Sequence, residues 1–269
     1  MRSLVSEATI CRLVHKMFRF YSLGHRSVTL LWYNASGFEV KNSINRNFTR
    51  YGNMLERMGE FFDARLNGYE EHQLKTIASA EEFYPFTADC LPKVPGSRIL
   101  DLGCGTGLEL RYYFDIVPTA EITGIDLASG MLEALKEKFP GKTLTLIHGS
   151  YFDIPLEENA FDAVVSVESL HHFTKEEKIP LYEKVRKALK PGRYFILTDY
   201  FAASNEEEES RRTEFLRLRK EQGICDDAFY HFDTPLTVDH EKEALLIAGF
   251  SSVTILGAWG PTYTLKAER

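Results

Sequence analysis

Short apolar runs alternate with longer amphipathic stretches along the middle of the chain. Such runs, rich in β-branched and other apolar side chains, are typical of strands that a sheet buries on both faces. They stand at 98–102, 120–127, 143–149, 160–169 and 193–201. The stretches between them repeat apolar residues every three or four positions, which is typical of helices with one buried face. This alternation predicts a mainly parallel, doubly wound sheet.

Capping residues mark where the longer helices should begin. Thr174 with Glu177, and Ser204 with Glu207, each place a hydroxyl group three residues before a glutamate, which is a capping box. Three further helices are expected, from Leu108 to Pro118, from Ser129 to Pro140 and from Thr237 to Ala248. Two strands around Gly260–Pro261 close the chain. We therefore predict an α/β fold whose seven-stranded, mainly parallel sheet has helices on both faces and an antiparallel C-terminal strand.

The residues ahead of the first strand also carry helical spacing. Apolar residues recur from Met58 to Leu74, which predicts a helix leading into the core. A second stretch, from Glu81 to Leu91, contains Pro85. A proline inside a helix removes a backbone hydrogen bond and clashes with the preceding turn. We therefore expect that helix to be interrupted at Pro85.

The first 57 residues differ from the rest in charge. They hold nine Lys and Arg residues against three Asp and Glu residues, whereas the remainder holds 23 against 36. We expect residues 1–57 to form a basic N-terminal extension that is poorly ordered or not part of the core. A transit peptide, or translation that starts at Met54 or Met58, would also explain this segment.

Composition and cysteine usage narrow the class of protein. The chain has 269 residues, of which 44% are hydrophobic and 26% charged, as in ordinary globular proteins. No stretch approaches the ~18 consecutive apolar residues of a membrane-spanning helix, so no membrane partner is expected. The net charge of −7 argues against nucleic acid as the main partner. The four cysteines are scattered without metal-ligand spacing, which favours a reduced, metal-free, cytoplasmic protein.

Three closely spaced glycines follow the first predicted strand. Gly103, Gly105 and Gly107 give the pattern G-x-G-x-G, and glycine permits a sharp turn and the close approach of a ligand to the main chain. Ligands of doubly wound sheets bind beyond the carboxyl ends of the strands, where this turn lies. Asp126 ends the second strand and can accept hydrogen bonds from ribose hydroxyls. The dinucleotide pattern G-x-G-x-x-G needs glycine where Leu108 stands, so a nicotinamide-dependent oxidoreductase is the weaker alternative.

Five motifs, in the same order along the chain, resemble those of the class I S-adenosylmethionine-dependent methyltransferases. They are LDLGCGTG at 100–107, GIDLASGML at 124–132, GSYFDIP at 149–155, FDAVVSVESLHHF at 161–173 and LKPGRYFIL at 189–197. The resemblance implies a Rossmann-like methyltransferase domain over residues 58–269, with a helical lid or insertion at about 203–235. It further implies that a methyl group passes from S-adenosylmethionine to a small-molecule acceptor by in-line displacement at the sulfonium, leaving S-adenosylhomocysteine.

The resemblance also assigns cofactor-binding roles to residues at the strand ends. The three glycines would pass beneath the methionine part, Asp101 would order that loop or meet the amino group, and Asp126 would hold the ribose hydroxyls. Tyr151 and Phe152 would flank adenine, whereas Ser150 stands where many relatives have aspartate. The full predicted set is Asp101, Gly103, Cys104, Gly105, Gly107, Asp126, Leu127, Met131, Ser150, Tyr151, Phe152, Val167 and Glu168.

Side chains beside the reacting methyl group are expected from the end of the fourth strand and from the N-terminal helix. His171 and His172 are candidate general bases, and Tyr69 lies on a helix that relatives use as a lid. A hydroxyl acceptor needs such a base, whereas an amine or thiolate needs little help. We expect no metal, and a monomer or homodimer. A non-catalytic protein that binds S-adenosylmethionine is the second alternative.

Overall fold

The structure, a computed structural model, describes residues 54–269, so most of the predicted N-terminal extension lies outside the described residues. The last residues of that extension contact the loop at 222–231. The amide of Leu55 donates to Gln222 Oε1 at 2.9 Å, and the Arg57 guanidinium lies 2.9 Å from a carboxylate oxygen of Asp226. These contacts tie residues 55–57 to the folded part of the chain, while the boundary at residue 57 stays a prediction.

Seven strands form one sheet in the order β3–β2–β1–β4–β5–β7–β6, which confirms the predicted fold class. The strands are β1 (Arg98–Leu102), β2 (Glu121–Asp126), β3 (Thr143–His148), β4 (Phe161–Val167), β5 (Leu189–Tyr200), β6 (Ser252–Trp259) and β7 (Thr262–Glu268). Strands β1 to β5 pair in parallel, and β7 pairs antiparallel with both β5 and β6. The strand order reverses between β1 and β4, and doubly wound sheets bind their ligands beside such a reversal.

Helices pack around this sheet. Those of the described residues are α1 (Met58–Arg65), α2 (Tyr69–Thr76), α3 (Ala80–Asp89), α4 (Leu108–Ile116), α5 (Ser129–Lys138), α6 (Lys175–Ala188), α7 (Asn205–Glu221) and α8 (Val238–Ile247). The capping box of Thr174 and Glu177 is complete, as predicted. At α7 the Glu207 carboxylate accepts from the Ala203 amide rather than from Ser204, so only half of the predicted box forms. None of these helices combines the length and the apolar composition that crossing a bilayer requires.

The predicted interruption at Pro85 is wrong, because α3 continues through this residue. The hydrogen bond that proline cannot donate would end at the carbonyl of Glu81, an exposed residue whose carbonyl water can reach. The same helix buries Phe83 and Ala88 completely against the sheet. Burial of this apolar face therefore outweighs the cost of one missing backbone bond.

Two strand boundaries also differ from the prediction. Strand β5 begins at Leu189 rather than at 193, because Leu189 pairs with Phe161 across an irregularity that accommodates Pro191–Gly192. Strand β4 ends at Val167, because Glu168 adopts a φ of 49°, in the left-handed region. The chain thus turns sharply out of the sheet at Glu168, shortly before the predicted catalytic residues His171 and His172.

A buried ion pair joins α6 to α8. The ammonium group of Lys178 lies 2.6 Å from one carboxylate oxygen of Glu241, and both side chains are 1% exposed. The Tyr182 hydroxyl donates to the other carboxylate oxygen. Because either charge would be costly to bury alone, each holds the other in place.

Replacing Lys178 with methionine should lower the free energy of unfolding by about 3–5 kcal/mol, because it leaves the buried Glu241 carboxylate without its cationic partner. Adding Glu241→Gln should recover most of that loss, since the amide oxygen still accepts from Tyr182. Urea unfolding measures both effects. Lys175→Met in the more exposed pair with Glu243 is the matched control and should cost about 0–1 kcal/mol. Equal losses for Lys178→Met and Lys175→Met would contradict the prediction.

Candidate cofactor and acceptor site

The glycine turn follows directly from the end of β1. Gly103 has a φ of 72°, and a Cβ placed on it would lie 2.0 Å from the Ser169 hydroxyl oxygen. Gly105 has a φ of 48°, but a Cβ there would meet nothing closer than the Tyr69 hydroxyl at 3.9 Å. The two glycines are therefore required for different reasons. Ser169 packs against Gly103 and leaves no room for a side chain there. Gly105 leaves main chain accessible, with the Tyr69 hydroxyl as its nearest neighbour.

Asp126 fixes this turn against the end of β2. Its Oδ2 accepts the Gly105 amide at 2.8 Å, and its Oδ1 accepts the Ala128 amide at 2.8 Å. Burial raises the pKa of the Asp126 carboxyl, and the two amides act in the opposite direction. Each carboxylate oxygen can still accept a further hydrogen bond from a ligand hydroxyl.

A cavity lies at the carboxyl ends of β1, β2 and β4, with about 490 Å³ of space free of protein atoms, part of it open to solvent. Its lining contains most of the predicted site residues. The residues that line it are Met58, Phe62, Tyr69, Gly103, Gly105, Asp126, Leu127, Met131, Tyr151, Val167, Glu168, Ser169 and His172. The cavity therefore lies where a ligand site is expected in such a sheet, beside the glycine turn and the reversal of strand order between β1 and β4.

Several predicted residues stand behind this lining rather than in it. The Cys104 sulfur faces the core, where a Cβ on Gly124 would lie 2.7 Å from it, and burial raises the pKa of the thiol well above its usual range. Gly107 caps the start of α4 with a φ of 68°. The Ser150 hydroxyl accepts the Phe152 amide at 3.1 Å and so holds its own loop.

Asp101 lies beneath the glycine turn and is 1% exposed. A hydrogen bond joins its carboxyl to that of the buried Glu109. Burial, and then the charge of Glu109, raise the pKa of the Asp101 carboxyl well above its usual range. The two buried carboxyls therefore share a proton on the protein side of the turn.

Helix α1 supplies lining residues that the sequence did not identify. The Gly130 amide donates to Asp63 Oδ1 at 2.9 Å, and a Cβ on Gly59 would lie 2.8 Å from the Leu127 carbonyl oxygen. This close packing brings Met58 and Phe62 over the cavity. The apolar spacing predicted one helix from Met58 to Leu74, but two helices form, because the chain turns between them at Gly68 with a φ of 85°. Nothing local indicated which surface α1 covers.

A histidine–aspartate cluster, formed by His171, His172, Asp199 and Asp233, borders the cavity. His171 Nδ1 lies 2.5 Å from Asp199 Oδ1, and its Nε2 lies 3.6 Å from Asp233 Oδ1. His172 Nδ1 lies 3.2 Å from the same Asp233 oxygen. Only His172 of this cluster reaches the cavity lining. Asp233 was not identified from the sequence, because it belongs to an irregular loop far along the chain.

The cluster controls the charge of its two imidazoles in opposite ways. Burial alone would lower the pKa of His171, but Asp199 and Asp233 raise it well above its usual value. Burial and the neighbouring His171 lower the pKa of His172. Burial and the Asp199 charge raise the pKa of Glu168 to about 8. The second histidine is therefore the neutral imidazole at the cavity wall.

Aromatic rings surround the histidines. Phe61 stacks on His231 with ring centroids 3.5 Å apart, and Phe62 lies 5.6 Å from the same histidine ring. Burial lowers the pKa of His231 to about 3, so this ring is also neutral. Phe229 packs on Phe152 at 5.2 Å. Of these rings only Phe62 and His172 line the cavity, where Met58 adds apolar surface and Glu168 a second polar group.

The sequence is similar to those of known methyltransferases. Residues 99–192 match the family model of a methyltransferase domain. The chain is 27% identical over 185 residues to an uncharacterized methyltransferase of Geobacillus sp., covering 69% of this chain and 83% of that protein. It is 33% identical over 141 residues to a fatty-acid O-methyltransferase of Mycolicibacterium smegmatis, covering 49% of this chain and half of that protein.

Solved structures show the same fold. An S-adenosylmethionine-dependent methyltransferase from Mesorhizobium loti matches with a TM-score of 0.52 and 22% identity, over 69% of this chain and 96% of that chain. The family model and the relatives together support the class I S-adenosylmethionine-dependent methyltransferase family that the motifs predicted. The solved structure shows the fold of that family. The comparisons favour this family over a nicotinamide-dependent oxidoreductase.

Gly103→Ala should destabilise the protein more than Gly105→Ala. Both substitutions place a side chain at positive φ, which costs about 1–2 kcal/mol, but only the first drives a Cβ into Ser169. The clash should add about 1–3 kcal/mol. Urea unfolding of the two variants separates the contributions, with Gly105→Ala as the matched control. Adding Ser169→Gly to Gly103→Ala should remove the extra loss, and no recovery would refute the packing explanation.

Proposed function

We propose that the chain transfers the methyl group of S-adenosylmethionine to a small, largely apolar acceptor that carries an oxygen nucleophile. One observation carries this proposal. A single cavity has the glycine turn and Asp126 on one side and His172, with Glu168 and the apolar residues Met58 and Phe62, on the other. The first side suits an adenosyl cofactor, and the second suits an acceptor whose oxygen must be held beside a polar group.

The residues present fit the cofactor. Gly105 exposes main chain to the cavity, and Asp126 retains acceptor capacity for the ribose hydroxyls. Leu127, Met131 and Tyr151 supply apolar surface for the adenine ring. Asp101, which shares a hydrogen bond with Glu109 beneath the turn, would order the turn or meet the amino group. When bound, S-adenosylmethionine supplies a methyl group already activated by the sulfonium.

The chain therefore has to align the acceptor and exclude water. Positioning of reactants contributes about 7–11 kcal/mol in favourable cases. Helix α1 covers the cavity with Met58 and Phe62, and this cover would keep water from the reacting atoms. Tyr69, above Gly105, would contact the cofactor or the acceptor at the same place.

Loss of a proton from a hydroxyl or carboxylic acid acceptor would be assisted at the histidine–aspartate cluster. His172 reaches the cavity and faces Asp233 through Nδ1, while His171 stands behind it on Asp199. We infer that His172 contacts the acceptor and that His171 positions the cluster. The similarity to a fatty-acid O-methyltransferase supports an acceptor with an apolar body and an oxygen at its reacting end.

Asp126→Ala should weaken S-adenosylmethionine binding by a factor of ~10 or more, because a lost charged hydrogen-bond partner costs about 1.5–3 kcal/mol. Isothermal titration calorimetry measures the change. Asp115→Ala, at an exposed position on α4, is the control and should bind normally. Thermal unfolding without ligand checks that the glycine turn survives. Unchanged affinity in a folded Asp126→Ala protein would contradict the assignment of the cofactor site.

The acceptor class is tested by incubating the protein with methyl-labelled S-adenosylmethionine and a panel of small acceptors. Long-chain carboxylic acids and phenols should receive label, because the apolar residues Met58 and Phe62 pack on their bodies and the cluster meets their oxygen. Amines and thiols of similar size should receive at least ~10-fold less label. A site built to hydrogen-bond an acceptor oxygen is left with unpaired polar groups when an acceptor without that oxygen binds. Equal labelling of amines, or labelling of RNA alone, would refute the proposed acceptor class.

A further inference from the structure

We propose that His171, His172 and Asp233 form a binding site for one divalent transition-metal ion of the Zn²⁺ type, at the acceptor end of the cavity. Each residue presents one ligand atom, and the three atoms lie within 4.8 Å of one another. Two imidazoles and one carboxylate are the ligand set of many sites that hold an ion through three protein side chains and leave further positions open.

The ligand spacing fits a small tetrahedral ion. Nitrogen or oxygen ligands about 2.0–2.1 Å from such an ion stand about 3.4 Å from one another. Asp233 Oδ1 lies 3.2 Å from His172 Nδ1 and 3.6 Å from His171 Nε2. The carboxylate oxygen is therefore at ligand spacing from both imidazoles, and one ion can contact all three side chains with small side-chain movements.

Asp199 orients His171 for this role. Its Oδ1 lies 2.5 Å from His171 Nδ1 and also accepts the Tyr200 amide, while its Oδ2 accepts the Leu170 amide at 2.8 Å. A carboxylate held in this way keeps the proton on Nδ1 and leaves Nε2 to point at Asp233. Metal-binding histidines commonly have such a carboxylate behind them, where it fixes the ring and makes it more basic.

The loop that carries Asp233 is held against the histidines on both sides. The Thr234 amide donates to the His171 carbonyl at 2.9 Å, and His172 Nδ1 lies 3.3 Å from the Phe232 carbonyl. Without an ion, an imidazole N–H group donates to the Asp233 carboxylate, and the Nδ1–H group of His172 also faces the Phe232 carbonyl. An ion would take the place of these imidazole protons, which pass to solvent as it binds.

The consequence for catalysis rests on the proposed function, whereas metal binding itself does not. Of the three ligands only His172 lines the cavity, so an acceptor would reach the open positions of the ion past His172. An acceptor oxygen that coordinates there loses its proton to solvent and attacks as an anion. Its electron pair forms the new bond to the methyl carbon, and the electrons of the broken carbon–sulfur bond remain on sulfur.

The test is titration of the full-length, chelator-treated protein with Co²⁺, followed by visible absorption, and with Zn²⁺, followed by calorimetry. The wild-type chain should bind one ion per chain at a site that Asp233→Asn and His172→Gln abolish. Asp199→Asn should weaken binding at this site by about 10–100-fold, as loss of an orienting carboxylate does. His240→Gln, which changes a histidine paired with Glu208 on another surface, is the matched control and should bind normally.

The outcomes separate this inference from the proposed function. Binding that is equal in wild-type, Asp233→Asn and His172→Gln proteins overturns the metal site, as does a Co²⁺ spectrum without bands from a nitrogen-ligated ion. The Co²⁺ spectrum of the wild-type protein still tests whether nitrogen ligands hold the ion, even if a variant does not fold. S-adenosylmethionine affinity is measured on the same samples. Normal cofactor binding with methyl transfer in the absence of bound metal would reject the role of the ion in catalysis, whereas metal binding without cofactor binding would reject the proposed function.

Discussion

The carboxylate of Asp126 is the contact on which the geometry of the site depends. Its two oxygens hold the turn after β1 and the start of α5 against the end of β2. Because β1 and β2 are paired in a fixed register, from Arg98 opposite Glu121 onward, the sheet determines where the turn lies. On this side Gly105 offers a ligand main chain, which a change of side-chain rotamer cannot move.

The opposite side is built differently, from side chains that hold one another. In an apolar setting the attraction between charges is stronger than in water, and an unpaired charge is more costly. Asp199 accordingly accepts from the Leu170 and Tyr200 amides as well as facing His171. Asp233 lies between the two histidines. The result is a polar network that joins Asp199, near the end of β5, to the histidines after β4 and to the loop that carries Asp233.

The sequence predicted those features whose causes are local. Apolar periodicity located every strand of the sheet, and the glycine spacing located the turn. Continuity of α3 through Pro85 and the early start of β5 depend on tertiary burial and strand pairing, which no local pattern contains. The same holds for the site. Its histidines were visible in one motif, but Asp233 comes from an irregular loop, and only the fold shows that the Cys104 sulfur faces Gly124.

The cover of the cavity combines two segments that are far apart in sequence. The Met58 amide donates to the Phe229 carbonyl, and the His231 amide donates to the Glu56 carbonyl, each at 2.9 Å. Neither segment can swing away without breaking these bonds, so the two must open together. Any opening of this cover would therefore move both segments at once, and such a movement is of the kind that sets the turnover rate in many enzymes.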